Sequence, residues 1–403
     1  MTTDAVVLDA VRTPRGKGSP RGALYPFTPL TLVRGLLDAL VARGVAPAAV
    51  DDLVLGIASQ LDGQGGNLAR TAALVAGWGD GVPGAALNRF CASGLDAVNL
   101  AAARIRAGDA ALIVAGGVEQ VSRVPLFADR GPLWTDPDVR RAAGSIHMGV
   151  AADLIATLEG FDRAALDAYA AATRARARAA HADRRAARTL VPVRDATGAI
   201  ALDHDELLGA APTDAELAAL PPAFADLGAG GDDALALARH PALTAIRHVH
   251  TRGSSPSLAD AAALVVVGDR AAADRLGLRP RARIVATATC AGDPVVMLTA
   301  GQDAITRVLA RAGLRPADLD VVEYAEAFAA SCLRLARDLE LGPDRLNPGG
   351  GTIAAGHAFG ATGAILLGNL VDELDRRGAR WGVAAVSGAA GLGVATLVER
   401  LPG

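Results

Sequence analysis

Lysine is almost missing: Lys17 is the only one among 40 basic residues, and aromatic side chains make up 3% of the 403 positions. We read both skews as compositional bias, not as function. Cysteine is scarce too. Three residues, Cys91, Cys290 and Cys332, cannot build a disulfide framework in a chain this long, so a reducing, cytoplasmic setting is expected. Net charge is also small. At −3 the chain lacks the basic surface that phosphate backbones require, which argues against nucleic acid as a partner. Long lipid-compatible runs are lacking as well. Residues 1–15 carry Asp4, Asp9, Arg12 and Arg15, which interrupt any signal-peptide core. The charge-free stretches 347–371 and 381–398 are broken by glycines, and the first also by His357, so no membrane span is expected.

What is abundant is apolar surface, 51% of residues, enough for two or three compact units. Residues 41–55 (VARGVAPAAVDDLVL) recur at 310–323 (ARAGLRPADLDVVE), with Gly44, Pro47, Val50 and Asp51 matching Gly313, Pro316, Leu319 and Asp320 at a shift of 269. A second match, 92–117 with 356–388, places Gly108 against Gly378 at a shift of 270. Two matches at nearly one shift indicate a duplicated unit. In each half amphipathic helices alternate with short apolar runs such as 111–115 (ALIVA) and 383–386 (VAAV), which predicts buried parallel strands covered by helices. The expected division is a first half over 1–121, an inserted cover over 122–249 opening on a helix at 163–182, and a second half over 250–403. Residues 250–270 are expected to complete the first half. A cover at the carboxyl ends of strands would shape a substrate tunnel.

Two segments carry chemistry. In Asn88-Arg-Phe-Cys91-Ala-Ser-Gly-Leu95 the cysteine falls at the start of a helix predicted to run through Arg106. There the macrodipole and free N–H groups favour a thiolate. An isolated cysteine is more often a buried structural residue, and Cys290 and Cys332 keep that reading. In Asn347-Pro-Gly-Gly-Gly-Thr-Ile-Ala-Ala-Gly-His357-Ala-Phe-Gly-Ala-Thr-Gly363 one histidine sits in a glycine-dense loop before a helix expected near Ala361. Such an imidazole can serve as base to a nucleophile. The other histidines show no metal-ligand spacing, so no metal is expected.

Together these segments resemble the thiolase family along essentially the whole chain. Arg12-Thr-Pro14, Gly116-Gly-Val-Glu119, His147-Met-Gly149, Asp293-Pro294 and Glu326-Ala-Phe328 add to the likeness. The resemblance implies an α/β fold of two duplicated halves in a layered α/β/α/β/α core with an inserted cover domain. It implies homodimers or homotetramers, acyl transfer between thioesters, and no tightly bound cofactor. The substrate would be the pantetheine thioester of an acyl-CoA or an acyl carrier protein. Cys91 would carry the acyl group and His357 would activate it. Backbone N–H groups of Cys91 and Ala389 would bind the oxyanion, while His147, Met148, Ser255 and Phe328 would line the substrate path.

Three departures qualify that implication. The family's Cys-x-Gly-Gly-Gly turn reads Ser387-Gly-Ala-Ala-Gly391, so its second cysteine is Ser387, a far weaker acid than a thiol. The Asn-Glu-Ala-Phe motif reads Ala325-Glu326-Ala327-Phe328, and alanine cannot hold the water that the asparagine orients. The spacing fits the family, with 32 residues from Ala325 to His357 and 30 from His357 to Ser387. Finally, the stretch 195–238 carries nine acidic residues and no Lys or Arg, and the pantetheine turn reads Gly253-Ser-Ser-Pro256. An acidic cover would repel nucleotide phosphates. The expectation is a specialised acyltransferase with weakened carbon–carbon chemistry; the alternatives are an ordinary 3-ketoacyl-CoA thiolase or acetyl-CoA acetyltransferase, and a non-catalytic acyl-binding paralogue.

Overall fold

The computed structural model describes residues 3–209 and 212–402. Its strands, in chain order, are β1 (Val6–Arg12), β2 (Gly16–Lys17), β3 (Asp52–Gly56), β4 (Gly84–Leu87), β5 (Leu112–Gln120), β6 (Val193–Arg194), β7 (Ile200–Leu202), β8 (Ala259–Gly268), β9 (Ala282–Ala291), β10 (Val321–Tyr324), β11 (Trp381–Gly388) and β12 (Leu392–Arg400). The main sheet runs β10-β11-β12-β9-β1-β8-β5-β3-β4, with β2 beside β8, and β6 and β7 form a separate hairpin. The order mirrors itself about the β1–β9 contact, where Val6 and Val7 pair with Arg283 and Ala282. Strands β3, β5, β8 and β1 correspond to β10, β11, β12 and β9, which is the duplication read from the sequence.

The parallel pairing expected of the runs 111–115 and 383–386 is present, in β5 beside β3 and β11 beside β10, but it does not extend through the sheet. Strands β3, β4 and β5 are parallel, as are β10 and β11, but β8 and β12 run antiparallel to their neighbours. The three-residue turn Ala389–Gly391 explains the second case, because so short a link joins only antiparallel strands.

Two helices, Ser93–Ala107 and Phe359–Arg377, pack on each other and on strands of both half-sheets, forming the central layer. Both end on a left-handed glycine, Gly108 at φ 76° and Gly378 at φ 63°, the pair matched in the repeat. The second helix begins at Phe359, two residues before the expected Ala361, and the cover helix Arg163–Ala182 has its predicted limits. The outer layers are Pro29–Ala42 on one half-sheet and Ala300–Ala312 on the other. With aromatics so few, the core is Leu, Ile, Val and Ala, and Tyr324 is the largest fully buried side chain among the described residues.

Candidate active site

Strand β4 hands the chain to a tight turn that presents Cys91. Asn88 donates Nδ2 to the Ala58 carbonyl at 2.9 Å and accepts from the Phe90 N–H at 2.8 Å. Ser93 Oγ donates to the Phe90 carbonyl at 2.6 Å and accepts from the Arg89 N–H at 2.7 Å. These bonds hold Phe90 at φ 49° and leave Cys91 just ahead of the Ser93–Ala107 helix. The sequence expectation of a helix-stabilised thiolate is corrected here. Burial, and then the Glu119 carboxylate, push the Cys91 thiol up to about 12, against the opposing pull of the Cys91 and Ala389 N–H groups. Those two N–H groups are the pair expected to bind an oxyanion.

The histidine loop is pinned from below. Asn347 accepts from the Tyr324 N–H at 2.7 Å and donates to Glu326 at 3.0 Å. Glu326 also accepts from Tyr169 at 2.9 Å, Thr173 at 2.8 Å and the Ile353 N–H at 3.1 Å, which ties the loop to the cover helix. His357 bonds through its main chain to Ser257 and Ala259. Its Nδ1 lies 2.9 Å from Thr362 Oγ1, which also accepts from the Ala358 N–H at 3.1 Å. Among the described residues the buried Nε2 has no hydrogen-bond partner. Burial, and then Arg15, lower the imidazole to about 3, so it is neutral. With Nδ1–H assigned to Thr362, Nε2 is a free acceptor.

Glycine lets the two segments meet. A Cβ on Gly94 would lie 2.2 Å from the Gly360 carbonyl oxygen, so no larger residue fits where the two central helices begin. Glu119 on β5 locks this junction by accepting from the N–H groups of Gly360 at 3.1 Å, Ala58 at 2.8 Å and Ser59 at 3.2 Å, and from Gln64 at 2.7 Å. The Phe359 ring packs on His357 at 4.6 Å and lines a cavity of about 40 Å³ together with Cys91, Met148 and Ala389.

Of the other predicted residues, Met148 reaches this cavity, whereas His147, Ser255 and Phe328 are not among its lining residues. His147 caps the Met148–Glu159 helix through Nδ1, Ser255 donates to the Thr251 carbonyl at 2.7 Å, and Phe328 packs edge-on against Phe224 and His250. Ser387 is locked into structure. Its Oγ accepts from the Gly301 N–H at 2.9 Å, donates to the Leu298 carbonyl at 2.9 Å and lies 2.8 Å from the Tyr324 hydroxyl. Ala325 is buried and offers only its methyl group. Sequence reasoning gave no role to Thr362 or Phe359, although both lie within five residues of His357. It recorded Glu119 only as part of a motif.

The expected acidic field of the cover is offset in part. Asp205 pairs with Arg12 at 2.7 Å and Arg15 at 3.4 Å, Asp232 with Arg140 at 2.6 Å and Asp233 with His248 at 3.1 Å. Glu206 accepts from two backbone N–H groups and Glu216 closes a capping box. Two of the nine, Asp205 and Asp232, are thus neutralised by arginines, and Asp233, Glu206 and Glu216 are used in hydrogen bonds that hold the cover together. Among the described residues no helix is long and apolar enough to cross a membrane, and no group of three or more His, Cys, Asp or Glu is placed to hold a metal.

Comparison with known proteins places this geometry. Residues 5–231 match the thiolase N-terminal domain and residues 278–400 the thiolase C-terminal domain. An acetyl-CoA acetyltransferase of Allochromatium vinosum is 35% identical over 100% of both chains. A 3-ketoacyl-CoA thiolase of Escherichia coli is 35% identical, covering 98% of this chain and 99% of its own. The crystal structure of the Bacillus anthracis acetyl-CoA acetyltransferase superposes with a TM-score of 0.86 at 31% identity, covering 99% of each chain. Matched end to end in sequence and in fold, the chain belongs to the thiolase family.

Proposed function

We propose that this protein is an acyltransferase that draws acyl groups from acyl-CoA thioesters onto Cys91, with His357 as base. The observation that carries the reading is the His357 ring, anchored at Nδ1 and open at Nε2, in contact with a phenylalanine that lines the Cys91 cavity. In acylation the Cys91 S–H bond breaks, its proton passes to His357 Nε2, and Sγ bonds the carbonyl carbon. The developing oxyanion accepts from the N–H groups of Cys91 and Ala389. Collapse breaks the donor's C–S bond, and the departing thiolate takes the proton from Nε2. At rest both groups are neutral, so charge develops only as the oxyanion donors engage.

The names of the relatives favour carrying this through to ordinary 3-ketoacyl-CoA thiolysis and condensation, more than to a specialised acyltransferase. Weighing the other way are Ser387, whose hydroxyl is held by structural hydrogen bonds, and Ala325, whose methyl group offers no hydrogen bond. Removing one oxyanion donor lowers a rate by about 10² to 10³. Strand β4, at the open edge of the sheet beside the nucleophile turn, is the expected seam of a homodimer. Intact-protein mass spectrometry with acyl-CoA and acyl-carrier-protein donors tests the reading. A single acyl adduct on Cys91, lost in Cys91→Ala, is expected. No adduct from any donor would reject it.

A further inference from the structure

The cavity at Cys91 is walled by aromatic rings in a chain that has very few. Of the seven phenylalanines, Phe90, Phe127 and Phe359 line it, and Trp134 joins them. The rings contact one another, Trp134 lying 5.7 Å from Phe90 and 4.7 Å from Phe127. All three phenylalanines have left-handed backbones, at φ 49°, 65° and 25° for Phe90, Phe127 and Phe359, and among the described residues no other phenylalanine does. A bulky side chain at positive φ is a costly outlier, and such outliers persist where the surroundings hold them for a purpose. Three of them meeting at one cavity is an arrangement that packing alone does not call for.

Phe359 has a particular place. It follows the histidine by two residues, is 5% exposed, packs on the His357 ring and lines the cavity. The space is about 40 Å³, room for about three water-sized spheres, and apart from Ser59 and Asp129 its lining is apolar. Such a space suits a short apolar acyl group and would force a longer chain against a ring that cannot swing without leaving His357.

Resting on the acyl-enzyme reading above, we propose that Phe359, which shares the cavity wall with the Phe127–Trp134 pair, sets the acyl chain length and restricts Cys91 to short-chain acyl groups of about two to four carbons. Phe359 is thus a specificity-determining residue of the acyl site. The test compares the rates of Cys91 acylation from acetyl-, butyryl- and hexanoyl-CoA by intact-protein mass spectrometry. The unaltered protein is expected to favour acetyl over hexanoyl at least 100-fold, and Phe359→Leu to narrow that ratio at least tenfold, chiefly by speeding hexanoyl transfer. Should Phe359→Leu fold poorly by thermal denaturation, Trp134→Leu in the same cavity wall is expected to narrow the ratio in the same direction. Equal rates for all three donors in the unaltered protein, or an unchanged ratio in both folded variants, would overturn the inference while leaving the acyl-enzyme intact. Failure of every donor to acylate Cys91 would reject the acyl-enzyme reading and the inference with it.

Discussion

Replacing Ser387 by alanine separates a structural hydroxyl from a catalytic one. The Oγ atom contacts the Gly301 N–H at 2.9 Å, the Leu298 carbonyl at 2.9 Å and the Tyr324 hydroxyl at 2.8 Å. Without it, Tyr324 still reaches the Leu298 carbonyl at 3.0 Å, but the buried Gly301 N–H loses the only partner that the described residues offer it. One orphaned buried donor costs about 1–3 kcal/mol. With an unfolding entropy of about 2 cal/mol/K per residue, that lowers Tm by roughly 1–4 °C. If the hydroxyl has no part in proton transfer, thiolysis of acetoacetyl-CoA should change less than about threefold. Loss of a general base costs about 10² to 10⁴. The assays are a thermal melt and the loss of acetoacetyl-CoA with free CoA, followed beside the rate of Cys91 acylation. An unshifted Tm with thiolysis down a hundredfold and acylation intact would refute the structural assignment. Ser387→Cys should be less stable still, because a Cβ on Gly301 would already sit 2.8 Å from Oγ, which shows how tightly the site is packed. Combined with Ala325→Asn it should raise thiolysis more than either change alone. Turnover of acetoacetyl-CoA by the unaltered protein at tens per second would show that no deficit exists.

In the substrate-free protein, alkylation of Cys91 by iodoacetamide should be slow at pH 7 and rise about tenfold per pH unit toward pH 9, since the thiol lies near 12. A rate at pH 7 matching that of a free thiol would contradict the burial argument. Thr362→Val removes the acceptor that orients His357 and also orphans the buried Ala358 N–H, so acylation should fall about 10- to 100-fold while the Tm drops by only roughly 1–4 °C. Retention of the full rate would show that the ring is held by other contacts. Burial works against the Asp205 carboxylate, but Arg12 and Arg15 carry it to about 2, below its unfolded value near 3.8. Its contribution, about 2 kcal/mol, is therefore present above pH 4 and lost as pH falls through 2. Asp205→Asn should destabilise by at least that amount at neutral pH in urea unfolding, with the gap closing toward pH 2; a gap constant with pH would discount the ion pairs.

The repeat, the two helices that end on Gly108 and Gly378, and the cysteine and histidine that begin them were legible in the sequence. They depend on local rules: the spacing of apolar residues, a glycine where the helix reverses hand, and glycine density around a loop. Matching motifs also made the family legible. The antiparallel direction of β8 was not, because β8 joins its half only after the whole cover has intervened, and its pairing is a long-range contact without local signature. Ionisation was misjudged for the same reason. A helix start argues for a thiolate, yet burial and a carboxylate brought from β5 outweigh it at Cys91. The nine acidic residues of the cover read as a uniform field of like charge, whereas folding sets arginines from distant segments beside two of them, Asp205 and Asp232. Glu119 meets the Gly360 N–H, and Phe359 the Cys91 cavity, only when the two halves close, whereas Thr362 serves its own neighbours His357 and Ala358. Sequence determined which chemical groups this chain carries and the helices that present them. Tertiary structure decided their protonation, their partners and the size of the space they share, because those depend on distances between residues that the chain order keeps far apart.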